Sequence, residues 1–194
     1  LFCNIATEKV IQALDQKNVY QALIAYNDEG LCHQVLKHFN LPSNKELNLN
    51  KWHEIIDRMI NPKKEVNIAV VGKYTKVKDS YKSLIEALSH GGISQRCKVK
   101  INWVNAGTLK EDNLKEKLGD SHGILVPGGF GARDTEGKIL AIHYAREKKI
   151  PFLGICLGMQ LAMIEFARNV LKIDNAGSTE FAQDCNKMSG LMTE

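Results

Sequence analysis

The chain has 194 residues, 44% hydrophobic and 25% charged, with a formal net charge of +4. That is a globular balance; the lysines are dispersed, which excludes a nucleic-acid patch and a basic membrane helix, and no apolar run approaches the ~18 residues of a membrane span. Cys3, Cys32, Cys97, Cys156 and Cys185 are odd in number and show no C-x-x-C spacing, which argues against a disulfide framework and a metal site and for a cytoplasmic, reducing compartment.

Leu1 to Ile5 reads as a short buried strand, and because Leu1 is not Met the start reads as a cut with no signal peptide. Val19 to Tyr26 is apolar and fits either a strand or a short helix. Leu31, Val35, Leu36 and Phe39 recur at helical spacing, which predicts an amphipathic helix over Gly30 to Phe39. Cys32 and His33 are adjacent on it and do not face each other, so they make a poor metal pair. Leu41-Pro42-Ser43-Asn44 breaks the helix. Asn50 is expected to cap a second one, Lys51 to Met59, with Trp52, Ile55, Ile56 and Met59 on one face. Asn61-Pro62-Lys63-Lys64 ends it and reads as a linker.

Val66 to Val71 is a near-continuous apolar run, the pattern of a parallel strand buried on both faces. Asp79 is expected to cap a helix through Ser89, stopped by His90-Gly91-Gly92. Lys98 to Val104 reads as a strand, Leu109 to Leu118 as a helix and Gly123 to Val126 as a strand. Thr135 to Lys148 reads as a helix and Pro151 to Ile155 as a further strand. The alternation predicts an α/β fold with a doubly wound, mostly parallel sheet. Val71-Gly72-Lys73 lacks the G-x-x-x-x-G-K-[ST] frame, so a Walker nucleotide site is rejected.

The chain is organised around Gly154-Ile155-Cys156-Leu157-Gly158-Met159-Gln160. An apolar strand leads in, and a helical run from Leu157 to Val170 leads out. A Cys between two glycines at such a junction is the thiol counterpart of the G-x-S-x-G nucleophile elbow. The sulfur would sit at a helix N-terminus, where unpaired N–H groups and the helix dipole favour a thiolate. The competing reading is a buried Cys that ends a core strand. The loop after the preceding strand, Pro127-Gly128-Gly129, lies on the same sheet edge, because open α/β sheets gather their sites at the carboxyl ends of strands. Its bare N–H groups and that of Leu157 would make an oxyanion hole; an ordinary turn is the alternative.

Val126-Pro127-Gly128-Gly129-Phe130-Gly131, the Cys156 elbow and Ser178-Thr179-Glu180-Phe181 together resemble the class I (triad) glutamine amidotransferases, of flavodoxin-like fold. Within that family the resemblance is to the glutaminase domain of CTP synthases. Val70-Val71-Gly72-Lys73-Tyr74 and Ser80-Tyr81-Lys82-Ser83 resemble the start of that domain, and Leu1-Phe2-Cys3-Asn4 the late part of the synthetase domain. The resemblance implies residues 1–43 as the end of a synthetase (amidoligase) domain, 44–65 as a helical linker, and 66–194 as an amidotransferase domain cut short at its C-terminus.

It further implies Cys156 as nucleophile and the N–H groups of Gly129 and Leu157 as the oxyanion hole. Gly129, Phe130, Leu157, Gly158, Met159, Gln160 and Glu180 would bind L-glutamine. Ammonia would then aminate ATP-activated UTP to CTP in a homotetramer, a ligase of pyrimidine biosynthesis. ATP and Mg2+ would bind mostly outside this chain, with no metal held within it. GTP would act as activator near Lys73 and Tyr74. Asp15 is the single matched residue of a nucleotide-edge segment whose Leu14 and Gln16 depart from the family pattern; a loop aspartate is the alternative.

The family's base is a His-x-Glu pair. None of His33, His38, His53, His90, His122 and His143 is followed by x-Glu, so the base is read as absent and the chain alone as inactive. Two other readings stand beside the first. One is a related elbow-Cys γ-glutamyl hydrolase, against which the linker helices and Ser178-Thr179-Glu180-Phe181 argue. The other is a catalytically incomplete remnant that only binds or scaffolds.

Overall fold

The computed structural model describes residues 4–42, 47–73, 78–129, 134–178 and 186–187. The chain forms two units, Leu1–Lys63 with Gly92–Cys97, and Lys64–Gly91 with Lys98–Glu194.

The first unit is helical. Helix α1 (Val19–Asp28) settles the ambiguous stretch, because the side chain of Asn18 accepts the Gln21 N–H at 3.1 Å and caps it. Helix α2 (Leu31–His38) starts after Gly30, whose φ of +82° is open to glycine at no steric cost. Helix α3 (Asn50–Ile60) corrects the predicted cap: Asn50 is its first residue, and the Asn48 side chain accepts the Asn50 N–H at 3.0 Å. Tyr20 and Trp52 pack with ring centroids 6.3 Å apart, tying α1 to α3. Arg58 pairs with Glu54 at 2.6 Å and Arg96 with Asp57 at 3.3 Å. Leu1 to Cys3 lie outside the described residues; Asn4 and Ile5 are not in a strand, and Ile5 is 54% exposed.

The second unit is built on a sheet of four strands, β1 (Lys64–Gly72), β2 (Cys97–Asn105), β3 (Gly123–Val126) and β4 (Phe152–Gly154), in the order β2-β1-β3-β4. β1 pairs in parallel with β3, Ala69 opposite Ile124, and β3 with β4, Leu125 opposite Leu153. The apolar runs are explained by burial: Ala69, Val70, Val71 and Val126 are fully enclosed. Helices α6 (Thr135–Glu147) and α7 (Leu157–Asn169) pack on each other and on β3 and β4. The order reverses between β1 and β3, the switch point where such folds place their ligands.

Two predicted boundaries move. Helix α4 (Lys82–Ser94) runs through His90-Gly91-Gly92 instead of stopping there. Neither glycine takes a left-handed conformation; the chain turns later, at Arg96 with φ +51°. The predicted helix over Leu109 to Leu118 is a 3-10 turn, Glu111–Asn113, followed by the short α5 (Leu114–Leu118). The Asn113 side chain accepts from Lys110 N and donates to Thr108 O, both at 3.0 Å, and holds that turn. Ala176–Gly177 (β5) pairs in parallel with Asn186–Lys187 (β6), a stretch whose composition is polar. Among the described residues no helix is long and apolar enough to cross a membrane.

Candidate active site

The elbow is built by close approach. Ile155 N–H donates to Val126 O at 3.0 Å, which carries the β3–β4 ladder one residue past β4. Cys156 follows at φ +52°, ψ −110° and is the N-cap residue of α7. A non-glycine residue there is strained, and it persists only because its surroundings dictate it. Those surroundings are the glycines. A Cβ on Gly158 would lie 2.1 Å from Val126 O, and one on Gly154 2.5 Å from the carbonyl carbon of Gly158. Only bare backbone lets α7 start directly against the end of β3.

Cys156 is exposed, so its thiol is open to a ligand, and the reading of a buried core Cys does not hold. Within the first turn of α7, Gly158 N–H donates to Ile155 O, and Met159 and Gln160 N–H to Cys156 O. The N–H of Leu157 has no backbone acceptor among the described residues. Gly128 closes the other side: a Cβ there would lie 3.4 Å from Cys156 Cβ. Gly129 is next in the same loop, half-buried. The structure thus brings Cys156, Leu157, Gly158, Met159 and Gln160 into one turn and Gly128 against it. Met159 is 51% exposed and Gln160 half-buried. Phe130, Glu180 and Tyr74 lie outside the described residues. Asp15 is exposed, in an irregular segment of the first unit.

Two charged residues that sequence reading passed over are buried. Lys138, one turn into α6, is 3% exposed. Its Nζ lies 3.8 Å from where a Cβ on Gly129 would stand. Burial pulls the Lys138 ammonium below the usual lysine value; Asp134 pushes it back up and Lys73 lowers it further. Glu165 on α7 is 1% exposed. Arg146 donates to both its oxygens at 3.0–3.1 Å, His143 Nδ1 lies at 2.9 Å, and Asn169 Nδ2 donates at 3.0 Å. Burial pushes the Glu165 carboxyl up, but hydrogen bonds from Arg146, His143 and Asn169 outweigh it and hold it below the usual range.

The sequence does carry a signal for both. Lys138, Ala141, Ile142 and Ala145 stand at i, i+3, i+4 and i+7, and all are buried. Leu157, Leu161 and Glu165 are likewise spaced by four and buried. A charge set in an apolar stripe marks a buried group with work to do.

His143 and Glu165 form a His–carboxylate pair in space that no sequence spacing announced. Glu165 lies eight residues along α7 from Leu157, roughly 12 Å of helix, so the pair is too remote to serve Cys156 and instead joins α6 to α7. Of the other described cysteines, Cys97 donates its thiol to Gln95 O at 3.1 Å and Cys32 sits exposed on α2. Among the described residues no three His, Cys, Asp or Glu side chains gather as metal ligands.

Comparison with known proteins agrees with this fold. Residues 76–192, more than half of the chain, match the family described as Glutamine amidotransferase class-I. A CTP synthase of Azospirillum brasilense is 51% identical over 99% of this chain, and one of Bartonella tribocorum is 53% identical over all of this chain. The chain spans about 35% of the length of these curated relatives. A solved glutaminase domain of Trypanosoma brucei CTPS, with bound acivicin, matches 62% of this chain and 47% of its own, at a TM-score of 0.59 and 38% identity. By the family match over residues 76–192, the chain belongs to the class-I glutamine amidotransferases, and its similarity within that family is to the CTP synthases.

Proposed function

We propose that this chain carries the glutamine-hydrolysing centre of a CTP synthase, with Cys156 as nucleophile. The observation that carries the reading is the exposed thiol in a strained elbow at the start of α7, flanked by Gly128. The Cys156 sulfur attacks the side-chain amide carbon of glutamine, and the carbonyl electrons move onto oxygen. The N–H groups of Gly129 and Leu157 hold that oxyanion. Collapse of the adduct breaks the C–N bond, ammonia leaves with an added proton, and a γ-glutamyl thioester remains. Water then cleaves the thioester to glutamate and the free thiol. Gly129, Phe130, Leu157 to Gln160 and Glu180 bind the glutamine in this reading.

The two proton transfers need a general acid–base. The chain's histidines lack the His-x-Glu spacing, and His143 is occupied beside Glu165. The base therefore comes from outside these residues. The ammonia serves ATP-dependent amination of UTP to CTP in a longer protein, a homotetramer activated by GTP. Asp15 is exposed, and among the described residues no three His, Cys, Asp or Glu side chains gather around a metal position. No step here runs through ATP or Mg2+, and the Asp15 contact rests on resemblance alone.

The test uses a longer protein that contains this sequence. Cys156→Ala should abolish glutamine-dependent CTP formation and spare ammonia-dependent formation, since the thiol has no part in activating UTP. Loss of both in a folded variant, or retention of both, overturns the assignment. Acivicin, bound in the trypanosomal structure, should add to Cys156 and be excluded by glutamine.

A further inference from the structure

Lys138 is a buried cation that the chemistry above does not use. A charged ammonium is costly to bury unless something nearby gains from it. The start of a helix makes the placement harder, because the N-terminal end of the dipole repels a cation. The Lys138 N–H donates to Asp134 O at 3.3 Å, which fixes the residue in the first closed turn of α6. Its Nζ abuts Gly129, and Gly128 abuts Cys156. Among the described residues, the charges acting on it are Asp134, just before α6, and Lys73, just after β1. The Lys138 ammonium, 3% exposed, thus lies behind the Gly128–Gly129 loop, at the carboxyl end of β3.

We propose that Lys138 is a positioning residue of the thiol site, its buried ammonium holding a positive potential on the Gly128–Gly129 loop where negative charge gathers during attack by Cys156. This rests on the glutaminase reading. The oxyanion forms beside the loop, and a fixed charge at low dielectric needs no reorganisation to stabilise it. The rule it exploits is the one that makes buried polar groups costly when nothing answers them.

The potential is read by alkylating the 194-residue chain with two reagents of like shape and unlike charge. Iodoacetate is anionic and iodoacetamide neutral; both form the same S–C bond with loss of iodide from the same thiolate. Their rate ratio at Cys156 therefore reports potential and not thiol ionisation. Peptide mapping gives the ratios at Cys32 and Cys97 as internal references. Lys138→Met removes the charge at similar volume, and an apolar side chain suits the buried site, so the fold is retained. The iodoacetate-to-iodoacetamide ratio at Cys156 should fall about threefold or more in Lys138→Met. It should stay near wild type in Lys138→Arg and rise in Asp134→Asn, where asparagine tolerates the φ of +64° at that position. The references should not move. An unchanged ratio in Lys138→Met, or equal falls in the Met and Arg variants, overturns the proposal. The parent reading fails separately: in the wild type, Cys156 would react with neutral iodoacetamide no faster than Cys97.

Discussion

Gly158→Ala tests the elbow most directly. The added Cβ would stand 2.1 Å from Val126 O and 2.9 Å from the carbonyl carbon. Both are backbone atoms of β3, the buried central strand, so neither can swing aside. Ordinary contact begins near 3.4 Å, so the start of α7 must withdraw by about 1.3 Å. Overpacking of this kind costs roughly 1–3 kcal/mol, and a clash of backbone with backbone belongs at the upper end. For a chain of this size about 3 kcal/mol corresponds to a fall in Tm of about 6–12 °C. Cys156, two residues earlier, moves with the helix. A misplacement of about 1 Å costs roughly a hundredfold in a positioned reaction. The assays are thermal unfolding followed by circular dichroism, and the rate of acivicin addition to Cys156. A variant that melts with the wild type and takes up acivicin at the same rate would refute the claim that close approach creates the elbow.

The remaining predictions concern the buried carboxylate, the thiols and turnover. Glu165→Gln should destabilise the second unit by about 1.5–3 kcal/mol, because it weakens the charge-assisted hydrogen bonds from Arg146, which is a third exposed and keeps its pairing with Glu147. Since the folded Glu165 carboxyl lies below its ordinary 4.5, the folded state binds fewer protons than the unfolded one, and its stabilisation is full above pH 4.5 and fades as pH falls through the folded value. Urea unfolding of wild type and variant at neutral pH and at pH 3 checks this; a gap that widens in acid contradicts it. Cys156 should alkylate before Cys32 and Cys97 near neutral pH, and equal labelling of Cys97 tells against its activation. The 194-residue chain should release no more glutamate from glutamine than its Cys156→Ala variant, for lack of a base worth roughly 10²–10⁴-fold. Turnover above that blank points to a residue within the chain, with His90 and His122 the first to replace.

Sequence alone reveals a structural element when one local rule decides it. The runs at Val66 to Val71, broken only by Asn67, and Gly123 to Val126 are apolar because both sheet faces are covered, and they became β1 and β3. The Cys156 elbow was legible for the same reason: strand, glycine, nucleophile and glycine follow one another within five residues. Legibility failed where a distant contact overrides local preference. Gly91-Gly92 reads as a stop, yet α4 continues because its end is set at Arg96. Asn50 and Asn48 are both good caps, and only the backbone says which one faces the first turn.

Lys138 and Glu165 are a sharper case, since each looks like an ordinary surface charge until its neighbours at i+3 and i+4 or i−4 are considered. Glu165 is explained within the fold: four side-chain hydrogen bonds from α6, with one from Asn169 in its own helix, answer its burial and lock α7 to α6. That lock fixes the far end of the helix whose near end strains Cys156. Lys138 has no such answer in the α6–α7 packing. Among the described residues, the groups around it include Asp134, a like-charged Lys73 and the bare backbone of Gly129. A fold that needed only packing at this position would be served by methionine. The charge makes physical sense when the loop it supports must host an anion, and the one thiol at the carboxyl ends of β3 and β4 among the described residues is Cys156.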